Sequence, residues 1–261
     1  MERPYVVCHM LTAVDGKIDG DFMSDPACAP YRELFGQLRI FHQCDATLYG
    51  TVTMQESYAD GIVEKLPTCH RKYPRQDYIA QSDVQNYIVS VDTAGVLAWK
   101  GKYMEKKGRP KAHVIEVLTQ QVSDDYLAYL RSFDISYIFA GYGELDCQLL
   151  LKKLADLFGI RRLMISGGGC MNWTFLQENL MDFRGFLRGK GFVNDAILPS
   201  FRPGCILCSP ATSLAGMAKA GQSIGYGRGR LFACPALAKG GWTSVNKQTG
   251  EGKSFTCFLR E

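Results

Sequence analysis

The chain has 261 residues, of which 46% are hydrophobic and 21% are charged. This composition predicts one large globular domain, or one domain with an appendage, and excludes a disordered polar chain. No run reaches the about 18 consecutive apolar residues that a membrane span needs. The first residues lack the basic and apolar segments of a secretory signal, so we expect a cytoplasmic protein with no membrane partner.

Charge and glycine content divide the chain near residue 182. Residues 1–182 hold 19 Lys and Arg against 23 Asp and Glu, whereas residues 183–261 hold 11 against 3. The second, shorter stretch also holds 13 of the 27 glycines. We therefore predict a folded domain over residues 1–182 and an atypical basic tail, rich in Gly, Arg and Cys, over residues 183–261.

Ten cysteines are spaced irregularly, which favours reduced thiols in a chain without a secretory signal. One CxxC pair, Cys205 and Cys208, would need two further ligands to bind zinc, and Cys234 and Cys257 are the candidates in the tail. Single CxxC pairs are common by chance, so we predict no metal site.

Short apolar runs alternate with helical patterns along the first stretch. The runs predict strands at residues 5–13, 46–49, 87–91, 113–118, 135–140 and 162–166. Helices are predicted at residues 30–42, 51–58, 123–133, 147–158 and 172–180, with Ser123 as a cap and Gly159 as a stop. Residues 59–82 and 100–111 are predicted loops. This alternation predicts an α/β fold with a mainly parallel central sheet and helices on both faces.

Ligands bind such sheets at the carboxyl ends of the strands, and glycines mark two of these ends. At the first, a predicted strand ends at Gly50, and a helix begins with Thr51 and Thr53. Glycine lets a ligand approach the backbone, and free N–H groups at a helix start attract phosphate. Thr53 can therefore bind a phosphate or simply cap its helix.

At the second strand end, Ser166 is followed by Gly167, Gly168 and Gly169. Each glycine costs about 1 kcal/mol relative to alanine in regular structure, so three in a row favour a ligand lying against bare backbone. A pyrophosphate at the helix N-terminus is the preferred interpretation, and a flexible turn is the alternative. The spacing fits neither GxGxxG nor GxxxxGK[ST].

Four motifs occur in a recognisable order. They are RPYVV at residues 3–7, AVDGK at 13–17, DATLYGTVT at 45–53, and SGGG at 166–169 followed by Asn172, Phe175, Leu176, Leu180 and Asp182. Together they resemble the reductase domain of riboflavin biosynthesis, the C-terminal part of the bifunctional deaminase-reductase. The resemblance covers residues 3–182 and implies a dihydrofolate-reductase-like fold. No deaminase zinc motif precedes it, so we expect a stand-alone reductase.

The resemblance implies NADPH as the hydride donor. It implies that the cofactor contacts Gly50 and Thr53 at one strand end, and that its pyrophosphate lies against Gly167, Gly168, Gly169, Cys170 and Met171 at the other. The family reduces a ribosylamino-pyrimidine phosphate at the sugar C1, giving a ribityl chain. Its C-terminal strands commonly form a dimer contact, so the resemblance implies a homodimer if residues 183–261 fold. The catalytic proton donor is not identified, and basic residues at 71–75 or 100–111 are candidates for binding the cofactor's 2′-phosphate.

Two positions depart from these reductases. His9 stands where they commonly carry a lysine, and Ser166 replaces the glutamate usual before the glycines. We predict His9, Asp15 and Ser166 as substrate-binding residues, although His9 can equally be a hydrogen-bonded core residue and Asp15 can hold its own turn. The departures place the chain closer to a looser group of dihydrofolate-reductase-like proteins, so we expect a pterin- or pyrimidine-like substrate.

The resemblance ends after Asp182, and we expect the C-terminal strands to be missing or irregular. Three alternatives explain the tail. It can be a divergent but folded completion of the sheet. It can be a basic appendage whose Gly-Arg stretch at 226–230 contacts single-stranded nucleic acid. It can also be the translation of a shifted reading frame, which the abrupt change in composition favours.

We therefore expect an NADPH-dependent reductase of a small molecule, related to the reductase of riboflavin biosynthesis. The first alternative is a non-catalytic nucleotide-binding or scaffold protein with a degenerate active site. A nucleic-acid partner is the second alternative, and the acidic first stretch argues against it.

Overall fold

The computed structural model describes residues 3–13, 16–66, 68–188, 242–248 and 254–260. Within them the chain forms two compact units, one from Met1–Val6 with Cys44–Leu180 and one from Val7–Gln43 with Met181–Glu261. The CxxC pair and the Gly-Arg stretch at 226–230 lie outside the described residues. The predicted domain boundary at residue 182 stays a prediction.

Strands and helices alternate along most of the described chain, as the sequence predicts. The elements are β1 (Tyr5–Thr12), two 3₁₀ turns (Asp21–Met23 and Pro26–Cys28), α1 (Ala29–Phe41), β2 (Ala46–Gly50), α2 (Thr51–Ser57), β3 (Tyr87–Val91), β4 (Tyr103–Met104), β5 (Ala112–Leu118), α3 (Asp124–Ser132), β6 (Ser136–Phe139), α4 (Cys147–Phe158), β7 (Arg162–Ile165), α5 (Gly169–Gln177), β8 (Phe183–Arg188), β9 (Trp242–Gln248) and β10 (Ser254–Arg260). Within the described ranges, every helix is too short or too polar to cross a bilayer.

The first unit is built on a mainly parallel sheet. Its strands follow the order β4-β5-β3-β2-β7, and β6 also pairs with β5. All of these pairings are parallel except that of β4 with β5. The carboxyl ends of β2, β3, β5, β6 and β7 therefore meet at one edge of the sheet, which is where such sheets bind ligands.

Asp45 fixes the register of three strands at the opposite edge. Its carboxylate accepts hydrogen bonds from the backbone N–H groups of Arg161 and Arg162, at 2.8 and 2.9 Å. Its backbone N–H donates to the carbonyl of Arg162 at 3.0 Å, and its carbonyl accepts from the N–H of Tyr87 at 3.0 Å. One residue thus aligns the amino ends of β2, β3 and β7.

Helices cover both faces of this sheet. Neighbouring residues of a strand point to opposite faces, so Tyr49 and Gly50 mark the two sides of β2. Tyr49 belongs to the apolar cluster that includes Tyr126, Leu127 and Leu130 of α3. Gly50 faces Met171 of α5 on the other side.

The predicted ends of two helices are confirmed by their capping bonds. The Ser123 hydroxyl accepts from the N–H of Tyr126 at 3.1 Å, which caps the start of α3. Gly159 ends α4 in the left-handed conformation with φ of 65°.

The second unit contains strands that the sequence did not predict. β1 pairs in parallel with β8, from Val7 opposite Phe183 to Thr12 opposite Arg188. β10 pairs antiparallel with β8 on one side and with β9 on the other. The C-terminal strands, expected to be missing or irregular, are therefore present among the described residues, because backbone pairing forms them without the sustained apolar alternation that signals a strand. The three explanations of the tail's composition stay predictions.

Two acidic side chains are buried in the first unit. Glu116 on β5 is 0% exposed, and Asp92, directly after β3, is 1% exposed. One carboxylate oxygen of Asp92 accepts from the N–H groups of Val96 and Leu97 at 2.7 and 2.9 Å. Burial raises the pKa of Glu116 well above its usual value, the charge of Asp92 adds to this effect, and Trp99 and Ser90 oppose it. Glu116 is therefore protonated in the folded protein at pH values where the unfolded chain is ionised.

We predict that Glu116→Gln removes a pH dependence of stability. Above the usual pKa of 4.5, the unfolded chain releases a proton that the folded protein keeps. The free energy of unfolding of the wild type therefore falls as the pH rises toward the folded-state pKa, by about 1.4 kcal/mol for each unit of the shift. The variant should not show this fall in urea denaturation between about pH 5 and 7.

The exposed Glu64 provides the matched control. Glu64→Gln should keep the pH dependence of the wild type. Parallel curves for the wild type and Glu116→Gln across this range would contradict the prediction.

Candidate active site

The turn between β2 and α2 carries the first predicted strand end. Gly50 is the last residue of β2 and stands directly before α2, and none of the described side chains caps the helix. The hydroxyl of Thr51 donates to the carbonyl of Val91 at 2.8 Å, which ties the turn to the end of β3. Thr53 lies in the first turn of the helix.

The turn between β7 and α5 carries the second predicted strand end. Gly167 has φ of 104°, a conformation that favours glycine, and the peptide bond between Gly167 and Gly168 is cis. α5 begins at Gly169, three residues before the predicted start, so Gly169, Cys170 and Met171 form its first turn. Among the described residues no side chain caps this helix, and helix N-termini of this kind are common binding sites for anions.

These two turns lie against each other. A Cβ atom on Gly50 would stand 3.0 Å from Cγ of Met171, and one on Gly168 would stand 3.5 Å from Oγ1 of Thr53. The N–H of Ser166 donates to the carbonyl of Leu48 at 3.2 Å. The structure thus brings together all seven predicted cofactor-binding residues, which we call the glycine cradle: Gly50, Thr53, Gly167, Gly168, Gly169, Cys170 and Met171.

Asn172 is a polar residue of α5 that the sequence marked only as part of a motif. Its side chain is 4% exposed, and neither its amide oxygen nor its amide nitrogen has a partner among the described residues. Its backbone N–H donates to the carbonyl of Gly168 at 3.2 Å. A buried amide without partners is unfavourable by about 1–3 kcal/mol, so such groups commonly belong to a ligand or water site.

The predicted substrate-binding residues are not brought together in the same way. Ser166 directly precedes the cradle in the first unit. His9 lies on β1 in the second unit. Asp15 lies outside the described residues. Their roles in substrate binding stay predictions.

His9 is enclosed by aromatic rings. Its side chain is 1% exposed and stacks on Phe35 with the ring centres 4.3 Å apart, while the ring of His42 stands edge-on at 5.2 Å. Nε2 donates to the carbonyl of Phe35 at 3.0 Å. Burial lowers the pKa of His9 to about 3, and the backbone hydrogen bond only partly opposes this. The ring is therefore neutral at physiological pH and does not supply the positive charge of a lysine.

Comparison with known proteins connects this geometry to a family. Residues 4–184 match the RibD C-terminal domain. The chain belongs to the RibD C-terminal domain family. The matched range contains the whole glycine cradle and ends just inside β8.

Solved structures show the same fold. A riboflavin biosynthesis reductase, Rib7 of Saccharomyces cerevisiae, superposes with a TM-score of 0.54 at 14% identity, over 99% of this chain and 90% of Rib7. A pyrimidine reductase-like protein of Corynebacterium diphtheriae gives 0.55 at 14% identity, over 98% and 91%. RibD of Acinetobacter baumannii gives 0.56 at 13% identity, over 100% of this chain and 59% of RibD. The chain therefore has the dihydrofolate-reductase-like α/β fold that the motifs imply, and it spans about three fifths of RibD.

We predict that the imidazole of His9 stays neutral in mildly acidic solution. Its nitrogen resonances, assigned by comparison with His9→Gln, should show the tautomer protonated at Nε2. They should not titrate between about pH 5 and 8, because the buried ring resists protonation. A titration in this range would contradict the enclosed position of the ring.

Proposed function

We propose that this protein is an NADPH-dependent reductase of a small ribosylamino-pyrimidine or pterin-like substrate, acting in riboflavin biosynthesis or a related pathway. The observation that carries the proposal is the glycine cradle, formed by two adjacent strand ends in a chain of the RibD C-terminal domain family. A homodimer in the cytoplasm is part of the proposal and stays a prediction.

The residues of the cradle fit a nicotinamide dinucleotide. The glycines leave backbone uncovered on both turns, and the uncapped start of α5 presents N–H groups suited to a pyrophosphate. The amide of Asn172 has no partner among the described residues, as expected of a group completed by a ligand or a water molecule. When bound, the nucleotide supplies the hydride that reduces the substrate.

The protein's contribution is to bind and orient the reactants. The first turn of α5 would hold the diphosphate, and the hydroxyl of Thr53, which lies where the two turns meet, would be a further donor to it. Gly50 leaves room for the side chain of Met171, and Gly168 places no side chain of its own beside Thr53, so a nucleotide would lie against the backbone of the Gly168 turn. Orientation of this kind accounts for much of the rate gain when a hydride passes between two bound molecules.

A second candidate function is nucleotide binding without catalysis. It is favoured by Ser166, which replaces the glutamate usual in riboflavin reductases, and by His9, which is buried and neutral where those enzymes commonly carry a lysine. Such a protein would keep the cradle and lack the groups that bind or protonate the substrate.

A measurement of NADPH oxidation distinguishes a reductase from a protein that only binds the nucleotide. We expect the purified protein to oxidise NADPH in the presence of 5-amino-6-(5-phosphoribosylamino)uracil or a dihydropterin, measured by the loss of NADPH absorbance. Nucleotide binding without oxidation by any member of this panel would support the non-catalytic alternative.

We predict that Gly168→Val weakens NADPH binding at least about tenfold, because its methyl groups would fill the space against Thr53 that the nucleotide needs. The backbone at Gly168 has φ of −60°, which valine adopts without strain. Fluorescence titration gives the affinity, and thermal melting checks the fold.

Gly101→Val is the matched control, because a Cβ there meets nothing within 4 Å. This variant should bind NADPH as the wild type does. Unchanged affinity in a folded Gly168→Val protein would remove the cradle as the nucleotide site.

A further inference from the structure

Most of the basic residues at 71–75 and 100–111 are neutralised by carboxylates. Lys72 and Arg75 both pair with Asp124, at 3.4 and 2.8 Å. The other pairs are Lys100 with Asp60, Lys102 with Asp134, and Lys111 with Glu105 at 3.9 Å. Each of these cations has a carboxylate within 4 Å, and Lys72 and Arg75 share the carboxylate of Asp124.

Arg109 differs from these residues. Its guanidinium is half-buried, and Nη1 donates to the hydroxyl of Tyr49 at 2.7 Å and to the hydroxyl of Tyr58. No carboxylate among the described residues pairs with it, and none of them accepts a hydrogen bond from its Nε or Nη2. The neighbouring tyrosine hydroxyls raise the pKa of Arg109 against the effect of its burial. A full positive charge is therefore held in a fixed position without a counterion in the described part of the chain.

The ammonium group of Lys106 lies over the ring of Tyr58, which Arg109 also contacts. The ammonium of Lys106 lies 4.3 Å from the ring centre of Tyr58, and Cζ of Arg109 lies 5.3 Å from it. Lys106 also donates to the carbonyl of Ser57 at 3.1 Å. Two cations therefore face one ring, and an anion placed between them would be attracted by both.

The cluster is connected to the glycine cradle through α2. Tyr49 directly precedes Gly50, and Tyr58 directly follows the last residue of α2. α2 has seven residues, a length of about 10 Å, with Thr53 near its start. The cluster and the cradle therefore lie around the same strand end and helix, although Tyr49 and Gly50 point to opposite faces of β2.

We propose that Arg109 and Lys106 form a binding site for a phosphate monoester. Nε and Nη2 offer the paired donors with which a guanidinium binds phosphate, and the two tyrosines fix their orientation. Given the function proposed above, this phosphate is either the 2′-phosphate of NADPH or the phosphate of a sugar-phosphate substrate. Both are dianions on a ribose, and binding measurements distinguish them.

The test is calorimetric binding of NADP⁺, NAD⁺ and ribose 5-phosphate to the full-length protein and to Arg109→Gln. NADP⁺ and NAD⁺ differ only in the 2′-phosphate, so a loss of about 10- to 100-fold for NADP⁺ alone assigns the site to the cofactor. A loss for ribose 5-phosphate, with both dinucleotides unchanged, assigns it to the substrate. If no affinity changes, Arg109 is only a structural anchor of its loop and the inference is overturned.

Two further variants serve as an independent test and as a control. Lys106→Gln changes an exposed side chain and should weaken the same ligand as Arg109→Gln, even if the arginine variant folds poorly. Lys100→Gln removes the same charge from an ammonium that is 85% exposed and paired with Asp60, so all three affinities should remain unchanged. Equal losses in Lys100→Gln and Lys106→Gln would indicate a general effect of charge and overturn the site.

The outcome also separates this inference from the proposed function. Suppose that each dinucleotide binds Arg109→Gln as tightly as it binds the wild type, and that the affinity for ribose 5-phosphate is also unchanged. The cradle would then remain supported as the nucleotide site, and the phosphate site would be overturned. If the wild type binds ribose 5-phosphate through Arg109 but neither dinucleotide, the phosphate site stands and the proposed cofactor falls. If the wild type binds none of the three, both are overturned.

Discussion

The close approach of the β2–α2 and β7–α5 turns is the constraint on which the site depends. With only 3.0 Å between Cγ of Met171 and the position of a Cβ on Gly50, a larger residue would require the side chain of Met171 to move. Gly167 adds a backbone conformation that side chains disfavour. The bare backbone is therefore a condition for packing the two helix starts side by side, and a nucleotide would use the surface that this packing creates.

Polar groups interrupt the apolar interior of the first unit at separate places. Asp92 uses its carboxylate to hold the amides of Val96 and Leu97, so this acid organises the loop after β3. Glu116 lies on the neighbouring strand with no comparable set of donors, and it avoids the cost of a buried charge by keeping its proton. The amide of Asn172 is buried beside the cradle. Both oxygens of Glu116, one oxygen of Asp92 and both polar atoms of the Asn172 amide have no hydrogen-bond partner among the described residues, and of these three residues Asn172 is the one that lies on α5 at the cradle.

The sequence predicted the parts of this protein that depend on local patterns. Apolar runs located the strands of the first unit, and Ser123 and Gly159 marked helix ends because capping involves only nearby residues. α5 was predicted to start too late because glycines are poor helix formers, although Gly169 begins the helix. β4 is only two residues long and lies in a basic stretch, and β8 to β10 form through pairing with distant partners.

The basic side chains show more clearly what local sequence patterns cannot predict. In the sequence, Arg109 is one of several basic residues in a predicted loop. Its partners Tyr49 and Tyr58 lie 60 and 51 positions away, so no local pattern distinguishes it from lysines that pair with carboxylates. Asn172 likewise reads as an ordinary polar helix residue until its burial is known. Chemistry that arises from long-range contact is visible only in the fold.

The geometry of the glycine cradle depends on Asp45, which lies at the opposite edge of the sheet. It aligns β2 with β7 at their amino ends. Gly50 and Ser166 must lie side by side at the carboxyl ends of these strands, about 16 Å further along. A slip of one residue would exchange the two faces of β2, turning Tyr49 toward α5 and Gly50 toward α3. A substitution of Asp45 that shifted this register would therefore disturb the proposed nucleotide site from the opposite edge of the sheet, without changing any residue of the cradle.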